Sequence, residues 1–232
     1  MQQDVRPCIS GWLKNSFIDF PGTVSTVLFF QGCNLRCPFC HNAALVTGAP
    51  TPVDHEEIFE FLKRRRGLID GVVLSGGEPT IHGEDLVTFT ERIRSTGVKI
   101  KLDTNGLLPG MIPRVNPDYL AVDLKTLPDR YGELGWKGGD PSEMLATSLD
   151  IVRSMGNNAE VRITAASPFI DDAAIEAFLP LLDGIEKVFL QPFVDKGSCI
   201  DASTVFPVDG ETLERYRERI AGVVKVCVVR GV

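Results

Sequence analysis

The stretch Gln31-Gly32-Cys33-Asn34-Leu35-Arg36-Cys37-Pro38-Phe39-Cys40-His41-Asn42 constrains this chain more than any other. Its three cysteines, spaced C-x3-C-x2-C, follow directly on the run Thr23 to Phe30. That run is β-branched and aromatic, too short for a helix, and reads as a buried strand. Three thiolates on one loop can hold a single soft metal centre. A closed zinc or iron–sulfur site normally takes four protein ligands. The missing fourth ligand is therefore the informative part.

The other three cysteines, Cys8, Cys199 and Cys227, are scattered. Half of the six crowd one loop, which suits a metal site in a reducing cytoplasm better than a disulfide framework. We read the scattered three as buried or incidental. The segment Met1–Arg6 has no apolar core of a signal peptide, and no apolar run approaches the roughly 20 residues that span a bilayer. A net charge of -7 argues against the broad basic surface of non-specific nucleic-acid binding. The run Lys63-Arg64-Arg65-Arg66 reads as a solvated helix end complementing the helix dipole. We expect a cytoplasmic protein with neither membrane nor nucleic-acid partners.

After the cysteine loop, strands and helices alternate. Asp54 and Glu57 offer an N-cap and a capping-box partner for a helix that stops at Gly67. Strands are expected at Gly71–Ser75, Val98–Leu102, Tyr119–Val122, Glu160–Thr164 and Lys187–Leu190, with a closing strand at Val223–Val229. Helices are expected at Glu84–Ser95, from Asp140 to Gly156, at Asp171–Leu182 and at Glu211–Ile220. Cys8 to Leu13 reads as an edge strand, and Asp129–Gly139, with four glycines, as a flexible loop. His55 and His82, near helix starts, are expected to face solvent. The alternation implies parallel βαβ units. Six core strands are fewer than a full eight-stranded barrel. The fold class is α/β, a partial, open (β/α)6 TIM-like barrel, with an open doubly wound sheet as the alternative.

In parallel α/β folds the functional groups collect where strands end. Here those ends carry the cysteine loop, Ser75-Gly76-Gly77-Glu78-Pro79, Asp103-Thr104-Asn105-Gly106, Asp123-Leu124-Lys125, Arg162 with Thr164, and Gln191-Pro192. Ordinary turn chemistry explains any one of these; several in phase with three clustered cysteines make a site. A structural zinc site completed by His41, Cys199 or Cys227 would usually show paired C-x2-C knuckles, and only Cys37 and Cys40 have that spacing. We favour a 4Fe–4S cluster held by Cys33, Cys37 and Cys40, its fourth iron open to a small chelating ligand. For His41 we expect a supporting hydrogen bond rather than metal ligation.

The cysteine triplet with Phe39 before its last member, followed by Gly76-Gly77-Glu78-Pro79, resembles the radical S-adenosylmethionine (radical SAM) enzymes. Phe17-Ile18-Asp19-Phe20-Pro21-Gly22, Cys40-His41-Asn42 and Leu102-Asp103-Thr104-Asn105-Gly106 are similar to activating enzymes of glycyl-radical proteins, above all those serving anaerobic ribonucleoside-triphosphate reductase. The resemblance runs from about Ile9 to Arg230 and is weakest between Tyr131 and Asp140. It implies a single radical SAM domain over 1–232. It implies that S-adenosylmethionine chelates the open iron, with Gly76, Gly77 and Glu78 at its ammonium and Phe39 near its adenine. Thr104, Asp123, Lys125 and Arg162 would contact the ribose or the methionyl carboxylate, and a monovalent cation would sit near Asp103 and Asp123.

The chemistry so implied is reductive cleavage of S-adenosylmethionine to a 5′-deoxyadenosyl radical, with no side-chain acid, base or nucleophile as catalytic residue. The implied partners are a glycyl-radical protein and an external one-electron donor such as flavodoxin or ferredoxin. Two other readings stay open. One is a radical SAM enzyme acting on a small molecule, as in deazaguanine synthesis. The other is a non-catalytic metal-binding protein, against which the Gly-Gly-Glu-Pro motif argues.

Overall fold

The computed structural model describes residues 7–195 and 197–231. The expectation for Met1–Arg6 falls outside them. The chain divides into two compact units, the first built mainly from residues 1–33, 44–104 and 110–119, the second from 34–43, 105–109 and 120–232.

The first unit holds β1 (Ile9–Ser16), β2 (Ser25–Phe30), the short helix α1 (Ala43–Thr47), α2 (His55–Arg64), β3 (Gly71–Gly76), α3 (Gly83–Arg94), β4 (Lys99–Thr104) and α4 (Ile112–Val115). β1 runs antiparallel to β2, and β2, β3 and β4 are parallel. β1 thus closes one side as the expected edge strand. The second unit holds β5 (Tyr119–Leu124), α5 (Pro141–Met155), β6 (Ala159–Ser167), α6 (Asp172–Leu182), β7 (Lys187–Pro192), the two-residue β8 (Phe206–Pro207), α7 (Gly210–Ala221) and β9 (Val226–Val229). Here β5, β6, β7 and β9 are parallel and β8 pairs antiparallel with β6. The outermost strands, β1 and β9, each have one neighbour. The sheet is mostly parallel and not closed, as expected of a partial barrel.

The helices start where short acidic side chains can take up unpaired amides. Asp54, Asp140, Asp171 and Asp209 each accept a backbone N–H of the first turn, from Glu56, Ser142, Ala174 and Thr212. Glu57 does not complete a capping box; it pairs instead with Lys14 of β1 at 3.4 Å.

The two histidines correct their expectation. His55 is buried, its ring 4.8 Å from that of Phe89. His82 lies 5.5 Å from the Phe30 ring and hydrogen-bonds the Gln31 carbonyl oxygen at 3.0 Å. Burial lowers the His82 pKa, opposed by that hydrogen bond and by Asp85. Both rings belong to an aromatic cluster in which Phe89 of α3 meets Phe30 edge-on at 6.3 Å and Phe59 of α2 at 5.5 Å. The cluster fixes the end of β2, from which the cysteine loop departs.

The expected loop Asp129–Gly139 is corrected in its first half, while Gly135–Gly139 remains turn and loop. Pro128–Leu134 forms 3-10 turns whose Tyr131 and Leu134 are fully buried. Tyr131, before the first glycine, and Leu134, between Gly132 and Gly135, supply the packing. Among the described residues no helix is long and apolar enough to cross a membrane.

Truncating Phe89 leaves a hole facing three rings. Phe89→Ala should lower unfolding free energy by about 3–5 kcal/mol in urea titrations; a loss below about 1 kcal/mol would contradict this account of the β2 end.

Candidate active site

In the first unit the end of β3 is laid against the end of β2. Gly77 N–H donates to Phe30 O at 2.9 Å and Glu78 N–H to Gly32 O at 2.8 Å. A Cβ on Gly77 would be driven into the Gly32 carbonyl, and one on Gly76 into the Phe30 amide. Gly76 also has φ +114, a region other residues avoid. The glycine pair therefore lets two backbones touch one residue before Cys33.

Glu78 is 1 % exposed. Its Oε1 accepts from Thr80 N at 3.1 Å, Thr80 Oγ1 at 2.6 Å and Thr104 Oγ1 at 2.8 Å. One carboxylate thus caps the turn Pro79–His82 and ties the end of β3 to the end of β4. Also on β4, Asp103 accepts from Ser75 Oγ at 3.2 Å and from Lys101 Nζ at 2.5 Å.

In the second unit the remainder of the cysteine loop is held at several points. Arg36 N–H donates to Leu134 O at 2.6 Å, Asp201 N–H to Pro38 O at 3.0 Å, and Cys40 N–H to Cys37 O at 3.0 Å. Asn105 Nδ2 donates to Asn34 Oδ1 at 2.7 Å. Phe39 is buried with its ring 5.4 Å from Phe169. His41 bonds through Nε2 to the Val194 carbonyl at 2.7 Å and stacks on Phe193 at 5.7 Å.

Asp123, Lys125 and Arg162 form one cluster. Arg162 Nε and Nη2 donate to the two Asp123 oxygens at 2.6 and 3.1 Å, and Lys125 Nζ donates to Oδ2 at 3.0 Å. The three side chains are each about one fifth exposed. Burial alone would raise the Asp123 pKa, but Arg162 and Lys125 hold it far below the usual carboxylate range. Burial would lower Lys125, but Asp123 and then Cys37 hold it above its ordinary value. Both oxygens of Asp123 are thus met by cations.

Sequence reasoning missed Tyr131, whose hydroxyl oxygen accepts the Lys125 amide N–H at 3.1 Å. Burial pushes its phenol well above the usual range. It also missed Asn34 and Asn105, whose signal was the Thr-Asn-Gly turn itself. Lys101 was missed as well, although it stands two residues before Asp103 on a strand, hence on the same face. Cys199 lies near enough to the loop for Cys40 to contribute to its raised pKa, after burial and Asp195.

The family model of the radical SAM superfamily matches residues 27–181, more than half of the chain. The chain belongs to the radical SAM superfamily. A radical SAM relative from Methanocaldococcus jannaschii, named as a glycyl-radical enzyme activating enzyme, is 29 % identical over 227 residues, covering 94 % of this chain and 92 % of that protein. The 7-carboxy-7-deazaguanine synthase of Thermococcus kodakarensis is 27 % identical over 185 residues, covering 70 % and 72 %. In fold the chain is similar to Streptococcus suis SuiB bound to S-adenosylmethionine. The TM-score is 0.62 at 14 % identity, over 87 % of this chain and 48 % of that one.

Membership makes the chain a radical SAM enzyme and implies a 4Fe–4S cluster and S-adenosylmethionine. The donor set fits. No disulfide joins any of the six cysteines. Among the described residues no group of three or more His, Cys, Asp or Glu side chains is gathered tightly enough for one metal ion.

Two substitutions test this geometry. Gly77→Ala should displace the backbone at Gly32 and abolish cluster incorporation, measured as iron per chain and visible absorbance; full incorporation would contradict it. Asp123 has a depressed pKa when folded, so its contribution to stability is complete above the unfolded value of about 3.9 and fades as pH falls below it. Asp123→Asn should therefore cost on the order of 3 kcal/mol at neutral pH, with the gap to wild type narrowing from about pH 4 downward. A gap independent of pH would contradict the pairing.

Proposed function

We propose that the chain is an activating enzyme for a glycyl-radical protein, with anaerobic ribonucleoside-triphosphate reductase as its partner. The M. jannaschii relative, matched over nearly the whole length of both chains, supports the activating role; the choice of reductase rests on the likeness of Phe17–Gly22, Cys40–Asn42 and Leu102–Gly106 to its activators. When bound, the cluster and S-adenosylmethionine supply reductive cleavage of the S–C5′ bond and a 5′-deoxyadenosyl radical that abstracts a hydrogen atom, here from a glycine.

The residues hold and orient. In this reading Cys33, Cys37 and Cys40 hold the cluster. Gly76 and Gly77 let the β3 turn approach closely, and Glu78, fixed by Thr80 and Thr104, places negative charge toward the methionyl ammonium. Phe39, braced by Phe169, lines the adenine. Lys125 and Arg162, paired with Asp123, take the methionyl carboxylate, and Thr104 contributes its hydroxyl. All of 1–232 then serves as one radical SAM domain. An external one-electron donor such as flavodoxin or ferredoxin, and a reducing cytoplasm in which six unlinked cysteines persist, complete the setting.

The second reading, action on a small molecule, is favoured by the likeness to the T. kodakarensis deazaguanine synthase. Electron paramagnetic resonance separates the two. Reduced, cluster-loaded protein with S-adenosylmethionine and the host's anaerobic reductase should give a glycyl-radical doublet. Absence of the doublet with every glycyl-radical protein of the host would favour the small-molecule reading.

A further inference from the structure

Lys101 is a buried cation to which the radical chemistry gives no task. It lies within β4, is 2 % exposed, and has its Nζ 2.5 Å from Asp103 Oδ1 and 5.9 Å from the centre of the Tyr119 ring. Its register partner on β3 is Val73, which packs with Phe20, Val27 and Tyr119. The lysine stem therefore runs along an apolar layer and delivers its ammonium to the carboxylate two residues on. An ammonium so placed is costly to desolvate unless it meets an opposite charge. Asp103 supplies that charge, steadied by Ser75.

We propose that Lys101 is a built-in replacement for a monovalent cation at Asp103, so that this protein binds its cofactor without added K+ or Na+. The sequence resemblance implied such a cation near Asp103 and Asp123, and the residues do not fit it. Asp103 carries Lys101, and Asp123 carries Arg162 and Lys125. An ion at either carboxylate would compete with a cation tethered by the chain, whose effective concentration there exceeds that of dissolved salt. Lys101 acts through Asp103 and is a positioning residue. The inference rests on the reading that places S-adenosylmethionine beside Asp103.

The test uses cluster-loaded, unreduced protein titrated calorimetrically with S-adenosylmethionine. Buffers contain tetramethylammonium chloride, or KCl or NaCl at equal ionic strength, and the Tm of the cluster-free chain is taken in each. Wild-type Kd should stay within about twofold and Tm within about 1 °C across the salts. Lys101→Met keeps the apolar stem; it should bind the cofactor on the order of tenfold more weakly in tetramethylammonium and regain affinity and Tm with K+ or Na+. Lys101→Met combined with Asp103→Asn removes both charges and should again be indifferent to salt, which keeps the test decisive if the single variant does not accumulate. Wild-type binding that tightens about tenfold with K+ overturns the proposal, as does salt-indifference in Lys101→Met or a salt response in the double variant. Failure to bind the cofactor in every salt would count against the cofactor assignment, while the Tm comparison would still decide the role of Lys101.

Discussion

The backbone of Gly76–Glu78 lies against that of Phe30–Gly32, and the departure of the cysteine loop depends on that contact. Two amide-to-carbonyl bonds fix it, and neither glycine can carry a side chain without prising the strands apart. The aromatic cluster around Phe89 supports the same strand end from behind. A motif readable as a ligand-binding turn is thus also a packing device: it sets where Cys33 begins.

Charge is arranged by the same economy of parts. Glu78 is buried but met by three donors, Asp103 by Lys101 and Ser75, and Asp123 by Arg162 and Lys125. Buried carboxylates without such partners would shed their charge. With them, these carboxylates keep their charge inside the fold.

Much of this was legible in the sequence because the signals were local. Asp caps, strand runs bounded by glycine, and the spacing of Cys33, Cys37 and Cys40 each follow from a few neighbouring residues. What was not legible depended on distant partners. His55 and His82 read as solvent-facing until Phe89 and Phe30 are seen beside them. The segment after β5 looked like a loop because its glycines are visible in sequence, while the cavity that takes Tyr131 and the carbonyl of Leu134 that meets Arg36 are not. That Asp103 pairs with Lys101, and Asp123 with Arg162 and Lys125, likewise needs the fold.

The central claim is that three cysteines, and no fourth, hold a cluster that cleaves S-adenosylmethionine. It is tested most directly by following 5′-deoxyadenosine after anaerobic loading with iron and sulfide and reduction in the presence of S-adenosylmethionine. Wild type and the Cys8→Ala, Cys199→Ala and Cys227→Ala variants should form 5′-deoxyadenosine, and Cys33→Ala, Cys37→Ala and Cys40→Ala should not. A fully loaded wild-type protein that leaves S-adenosylmethionine intact, or loss of the cluster on changing Cys199 or Cys227, would contradict the account.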